Sequence, residues 1–142
     1  MLSESVKDCI RALIYLALNQ DKEYISVKEI AVKLNLPFFF LAKNIQKLVK
    51  EGILDSYRGP KGGITFKKPL NEIRILDIIK SIDGDSLFRK CILGFEECSD
   101  DNPCAIHQRW VPEREHLKEL FSQSLQDIVN DIKVGKVKNI KL

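Results

Sequence analysis

Residues 37–66 constrain the fold more than any other stretch, because a proline-initiated basic helix pattern runs there directly into a glycine-rich hairpin. Pro37 suits the first turn of a helix, where its missing N–H has no partner to lose. Leu41, Ile45, Leu48 and Val49 then recur at helical spacing, and Gly52 supplies a stop. With Leu41, Ile45 and Leu48 turned to a core, Phe39, Lys43, Gln46, Lys47 and Lys50 fall largely on the opposite side. Residues 53–57 and 64–66 read as two strands, joined by the turn residues Arg58-Gly59-Pro60-Lys61-Gly62-Gly63. Phe38, Phe39 and Phe40 cannot all face one core. Either at least one of them, Phe39 first, is exposed or lies against a partner, or all three touch neighbouring helices.

The flanking segments complete a mainly α architecture. Val6, Ile10, Leu13, Ile14, Ala17 and Leu18 form one helical stripe. Ser26, followed three residues later by Glu29, has the spacing of a capping box and opens a short helix to about Leu34. Helix, short helix, helix and hairpin, in that order, is the arrangement of a winged helix-turn-helix, whose third helix enters the DNA major groove. Ile73, Leu76, Ile79 and Ile82 mark a further helix ending near Gly84. From about residue 105 to residue 132, Leu117, Leu120, Phe121, Leu125, Ile128 and Ile132 predict one long helix with more apolar surface than a small domain buries, which suggests dimerisation. The chain therefore divides into a winged helix-turn-helix domain (1–84), a cysteine-rich loop (85–104), and a dimerisation helix with a tail (105–142).

Charge sharpens this reading. The chain carries +3 overall, but residues 36–68 alone carry seven Lys/Arg against Glu51 and Asp55. A local basic patch on a nearly neutral chain fits a polyanion-binding face, although a solvated helix face has the same composition. Lys43 and Gln46 are types that bond base edges or phosphates, and Lys47 and Lys50 suit phosphate. On the wing, Arg58 and Lys61 offer cations, and Gly62 and Gly63 lack the Cβ that would keep a backbone out of a groove. With 44% hydrophobic and 30% charged residues, no secretory leader pattern and no apolar run long enough to cross a bilayer, a cytoplasmic protein is expected.

Three of the four cysteines crowd into fourteen residues as Cys91-x6-Cys98-x5-Cys104, followed by x2-His107. Thiolates with one imidazole suit an iron–sulfur cluster or a tetrahedral zinc, either of which takes four protein donors. Bare redox thiols are a third reading. Cys9 lies in the first apolar stripe as a small core residue. An iron–sulfur or thiol redox enzyme has only these cysteines in its favour. The sequence has no Cys-x-x-Cys, no phosphate loop and no nucleophile–base pair, so a non-enzymatic role is expected. A zinc-stabilised interaction module would leave the basic helix and wing unexplained.

The segment LAKNIQKLVKEGILDSYRGPKGGITFKKPLNEIRILDIIKSIDG resembles the wing region of the IscR/NsrR/CymR family of bacterial winged-helix regulators, also called the Rrf-two family. IRALIYLAL resembles its first helix, and the cysteine loop its cluster-binding loop, so the resemblance spans roughly residues 5–130. It implies a homodimeric regulator, a repressor, that binds a palindromic operator in double-stranded DNA and senses iron–sulfur status, nitric oxide, redox state or cysteine supply. The implied cofactor is an iron–sulfur cluster, 2Fe–2S in preference to 4Fe–4S, with zinc or no metal as alternatives. Two features depart from the family: the first cysteine gap is six residues where five is usual, and Ala42 stands where some members carry a Glu that screens DNA sites. Some relatives donate an acidic fourth ligand from the first helix. Asp8 lies near that place, but alignment on IRALIYLA puts Lys7 there, which favours His107 as the fourth ligand.

Overall fold

A computed structural model describes residues 2–137. Helix α1 spans Glu4–Leu18, α2 Val27–Leu34 and α3 Phe38–Lys50; strands β1 (Leu54–Tyr57) and β2 (Gly63–Phe66) follow. A 3₁₀ turn at Leu70–Glu72 leads to α4 (Ile75–Asp83), the short α5 (Ser86–Arg89), α6 (His107–Leu120) and α7 (Leu125–Lys133).

Helix α1 is the hub. Val6, Cys9, Ala12, Leu13, Leu16 and Ala17 are buried along it, and α2, α3, α4 and α7 pack around it. The Ser3 hydroxyl caps its N-terminus by accepting from the Val6 N–H. Ser26 caps α2 in the same way through the Glu29 N–H at 3.1 Å. The reciprocal half of the expected capping box does not form, because the Glu29 carboxylate is drawn instead to Lys22 at 2.8 Å. Asn35, in the left-handed conformation (φ 53°), ends α2, and Pro37 stands at the N-cap of α3. Gly52, at φ 77°, ends α3 with the Ile53 N–H reaching back to the Leu48 carbonyl.

The hairpin is antiparallel with Leu54 opposite Phe66 and Tyr57 opposite Gly63. Ile25 and Ile64 exchange backbone hydrogen bonds of 3.2 and 2.8 Å, tying the wing to the chain two residues before α2. The Tyr24 and Tyr57 rings stack beside this bridge at 5.3 Å.

The expected single helix over residues 105–132 is divided in two. Phe121 and Gln123 give their carbonyls to the Leu76 and Ile75 N–H groups (2.7 and 3.1 Å), which are free donors of the first turn of α4. Ser124 then starts α7 by accepting from the Asp127 N–H, while Asp127 accepts from Ser124. Leu125 and Val129 are buried, and α7 lies against α1 and the 3₁₀ turn. None of the described helices is long and apolar enough to cross a membrane.

Candidate nucleic-acid interface and cysteine site

Helix α3 is two-faced. Leu41, Ile45 and Leu48 are 2% exposed or less, whereas Phe39, Lys43, Gln46, Lys47 and Lys50 all lie on the exposed side. Phe38, Phe39 and Phe40 are 38%, 84% and 69% exposed, so the aromatic triplet opens α3 outside the core. Phe38 and Phe39 line a surface hollow with Val32 and Leu36. Asn44, which had drawn no attention in the sequence, is buried.

Arg58 and Lys61 stand exposed at the wing tip. The glycines beside them serve the wing's own geometry. A Cβ on Gly62 would lie 2.1 Å from the Tyr57 carbonyl oxygen, and one on Gly63 2.3 Å from the Ile25 backbone. Their lack of a side chain is thus demanded by the hairpin before any partner arrives.

The cysteine loop joins α5 to α6. Phe88 anchors its start, 2% exposed and edge-on to Phe121. Gly94 (φ 84°) turns the chain just after Cys91, its N–H donating to the Cys91 carbonyl. His107 is the first residue of α6 and is 4% exposed. Its Nδ1 lies 3.4 Å from Cys98 Sγ, and its Nε2 lies 2.8 Å from Asp100 Oδ1. An ionised carboxylate only accepts, so Nε2 carries the hydrogen.

Cys91 and Cys104 form a second pair. Burial opposes ionisation of Cys91, but the N–H of Leu93, the Cys104 thiol, and the N–H groups of Phe95 and Gly94 outweigh it and lower the thiol below its ordinary value. Cys98 lines a cleft of about 630 Å³, and Cys104 lines another of about 500 Å³. Among the described residues no three His, Cys, Asp or Glu converge on one ion position. Of the four candidate donors, Cys98 and His107 are thus in direct contact, and Cys91 has Cys104 as a neighbour.

Asp8 belongs to neither pair. It sits on α1 with its carboxylate 3.9 Å from the Arg11 guanidinium. Cys9 is fully buried, and burial, reinforced by Asp8, pushes its thiol up to about 12, as befits an inert core residue. His116 is exposed near Glu113. Asp100 was missed in the sequence: nothing in the spacing of the loop acids singles out the one that meets His107.

An exposed basic third helix beside a two-stranded wing defines a winged-helix DNA-binding transcriptional regulator. The chain belongs to the Rrf2 family, described as iron-dependent transcriptional regulators, which matches residues 2–131. A protein of Aquifex aeolicus (strain VF5), provisionally named an HTH-type transcriptional regulator, is 35% identical over 133 residues, covering 92% of each chain. The HTH-type transcriptional regulator IscR of Photorhabdus laumondii is 25% identical over 94% of this chain and 81% of its own. The structure of CymR (YrzC), the global cysteine regulator of B. subtilis, superposes with a TM-score of 0.75 at 26% identity, covering 92% of this chain and 96% of that one. These relatives regulate transcription, and this chain is a DNA-binding regulator and not an enzyme.

Proposed function

We propose that this regulator is a homodimeric, cytoplasmic repressor whose affinity for a palindromic operator is set by an iron–sulfur cluster held at Cys91, Cys98, Cys104 and His107. It would thereby report iron–sulfur, nitric oxide or redox status. The observation that carries the sensing half is the contact between Cys98 and His107, with Cys104 beside Cys91 in the same loop. A single tetrahedral zinc needs four donors about one point. A two-iron cluster takes two protein donors at each iron, and imidazole replaces thiolate at such centres in known cases. The 3.4 Å between Cys98 Sγ and His107 Nδ1 is close to the roughly 3.6 Å that a thiolate and an imidazole span on one tetrahedral metal with ordinary bond lengths. The donors thus fit the group in type, and the Cys98–His107 contact suits two ligands of one metal. When bound, the cluster would supply a redox-active centre that reacts with nitric oxide and can be lost.

On the DNA side, α3 would lie in the major groove, with Phe39, Lys43 and Gln46 toward base edges and Lys47 and Lys50 on phosphates. Arg58 and Lys61 would reach the adjoining minor groove, with Gly62 and Gly63 shaping the wing tip. Residues 1–84 then form the reading domain, 85–104 the sensor loop, and 105–142 the dimerisation segment, of which 138–142 lie outside the described residues. The exposed Leu120 on α6 supports a subunit contact there. The sensor loop lies between α5 and α6, so a change in it would re-space two reading heads, and affinity would shift by the cluster's differential fit to the two arrangements.

The test is an anaerobic absorbance spectrum with iron, sulfide and zinc analysis on the purified protein, followed by operator binding with and without the cluster. Iron with matching sulfide, and different affinities in the two states, is the expected result. Equal affinities would overturn the sensing reading. A second reading, thiol redox sensing without a cluster, is favoured by the lowered Cys91 thiol beside Cys104. Reversible loss of these two thiols on peroxide treatment of metal-free protein, with a change in DNA affinity, would select it.

A further inference from the structure

We propose that Asp100 is a positioning residue for the sensor site, fixing the His107 ring so that Nδ1, and not Nε2, is the atom presented to the cluster. This rests on the cluster reading above.

The His107 ring is almost wholly buried, with 5% of its side chain exposed, and two groups bracket it. Asp100 Oδ1 meets Nε2 at 2.8 Å, and Cys98 Sγ meets Nδ1 at 3.4 Å. A neutral imidazole carries one hydrogen, and an ionised carboxylate holds that hydrogen on the nitrogen it faces. The Nδ1 lone pair is then left beside the thiol that would share its metal. A metal-binding histidine ordinarily donates its remaining N–H to a carboxylate, carbonyl or water, which fixes ring orientation and raises basicity. Here that arrangement exists before any metal arrives. Asp100 sits in the loop between Cys98 and Cys104, so the chain segment that carries the thiols also sets the imidazole. Its carboxylate is 97% exposed, so the residue has no packing role that a substitution would disturb.

The test compares full-length wild type with Asp100→Ala and Asp100→Asn. In metal-free, reduced protein, nitrogen NMR of the imidazole reports which ring nitrogen is protonated. The wild type is expected to hold the hydrogen on Nε2, and Asp100→Ala to show a mixture, with an unchanged melting temperature. After anaerobic reconstitution with iron and sulfide, the variant is expected to lose its cluster to a chelator about tenfold faster. Asp100→Asn, which keeps an acceptor oxygen without charge, should fall between. A wild-type tautomer in Asp100→Ala, or an altered tautomer with wild-type cluster retention, would overturn the proposal while leaving the cluster reading intact. Failure of the wild type itself to take up iron and sulfide would overturn the cluster reading, and this role with it, before any variant is compared.

Discussion

Gly63 sits so close to Ile25 that a methyl group on it would lie 2.3 Å from both the carbonyl carbon and the carbonyl oxygen of Ile25. The contact lets Ile64 bridge to Ile25 and holds the wing against the start of the helix-turn-helix. Gly63→Ala is expected to cost about 2–3 kcal/mol, because the obstruction is backbone and cannot move aside cheaply. Gly59→Ala meets open space and bears only the strain of its φ of 126°, so it should cost about 1 kcal/mol. Urea unfolding midpoints at constant slope would separate the two. Equal losses would show that Gly63 is not constrained by Ile25.

The two faces of α3 should separate stability from binding. Ile45 is fully buried, so Ile45→Ala is expected to cost about 2–5 kcal/mol. Phe39 is 84% exposed, so Phe39→Ala should stay within about 0.5 kcal/mol of wild type yet weaken operator binding. Thermal melts with fluorescence anisotropy on duplex DNA check both. Unchanged DNA affinity in a well-folded Phe39→Ala would remove that residue from the interface.

Salt dependence distinguishes phosphate contacts from base contacts. Lys47→Ala and Lys50→Ala should each lower the slope of log affinity against log salt by about 0.9 and weaken binding alike on all sequences. Gln46→Ala should leave the slope alone and relax preference at one base pair by roughly 1–3 kcal/mol. Affinities across a salt series on cognate and substituted duplexes provide the measurement.

Acid stability should depend on Asp77. Its partial burial opposes ionisation, but hydrogen bonds from the Arg74 guanidinium and Arg74 N–H prevail and hold its carboxyl below the ordinary 3.8. A depressed folded-state value means a stabilisation fully present above 3.8 and lost as pH falls through the lower folded value. Asp77→Asn should therefore destabilise at neutral pH, by about 1 kcal/mol for the weakened cap, with the gap to wild type starting to narrow near pH 3.8 and closing only below the lower folded value. Unfolding midpoints measured from pH 7 down to 2.5 test this. A constant gap at all pH values would assign the effect to packing.

Local pattern alone determined a large part of this protein. The Pro37 start and Gly52 stop of α3, the buried Leu41/Ile45/Leu48 row and the turn residues of the wing all act within a few positions of themselves, and all appear in the structure; of the α1 stripe, Val6, Leu13 and Ala17 are buried, while Ile10, Ile14 and Leu18 are half-buried and Cys9, Ala12 and Leu16 complete the inner face. The sequence also singled out Cys91, Cys98, Cys104 and His107 as candidate donors, because ligand chemistry is a property of residue type. Tertiary structure decided what depends on distant partners. It broke residues 105–132 at Phe121–Ser124, since helical periodicity continues through a point where the free N–H groups of Ile75 and Leu76 claim the carbonyls. It turned the Glu29 carboxylate from its cap to Lys22, and gave Gly63 its reason in Ile25, thirty-eight positions away. It set Cys98 against His107 and Cys104 beside Cys91, and chose Asp100 from the acids of the loop, because a hydrogen bond is fixed by three-dimensional approach and not by spacing along the chain.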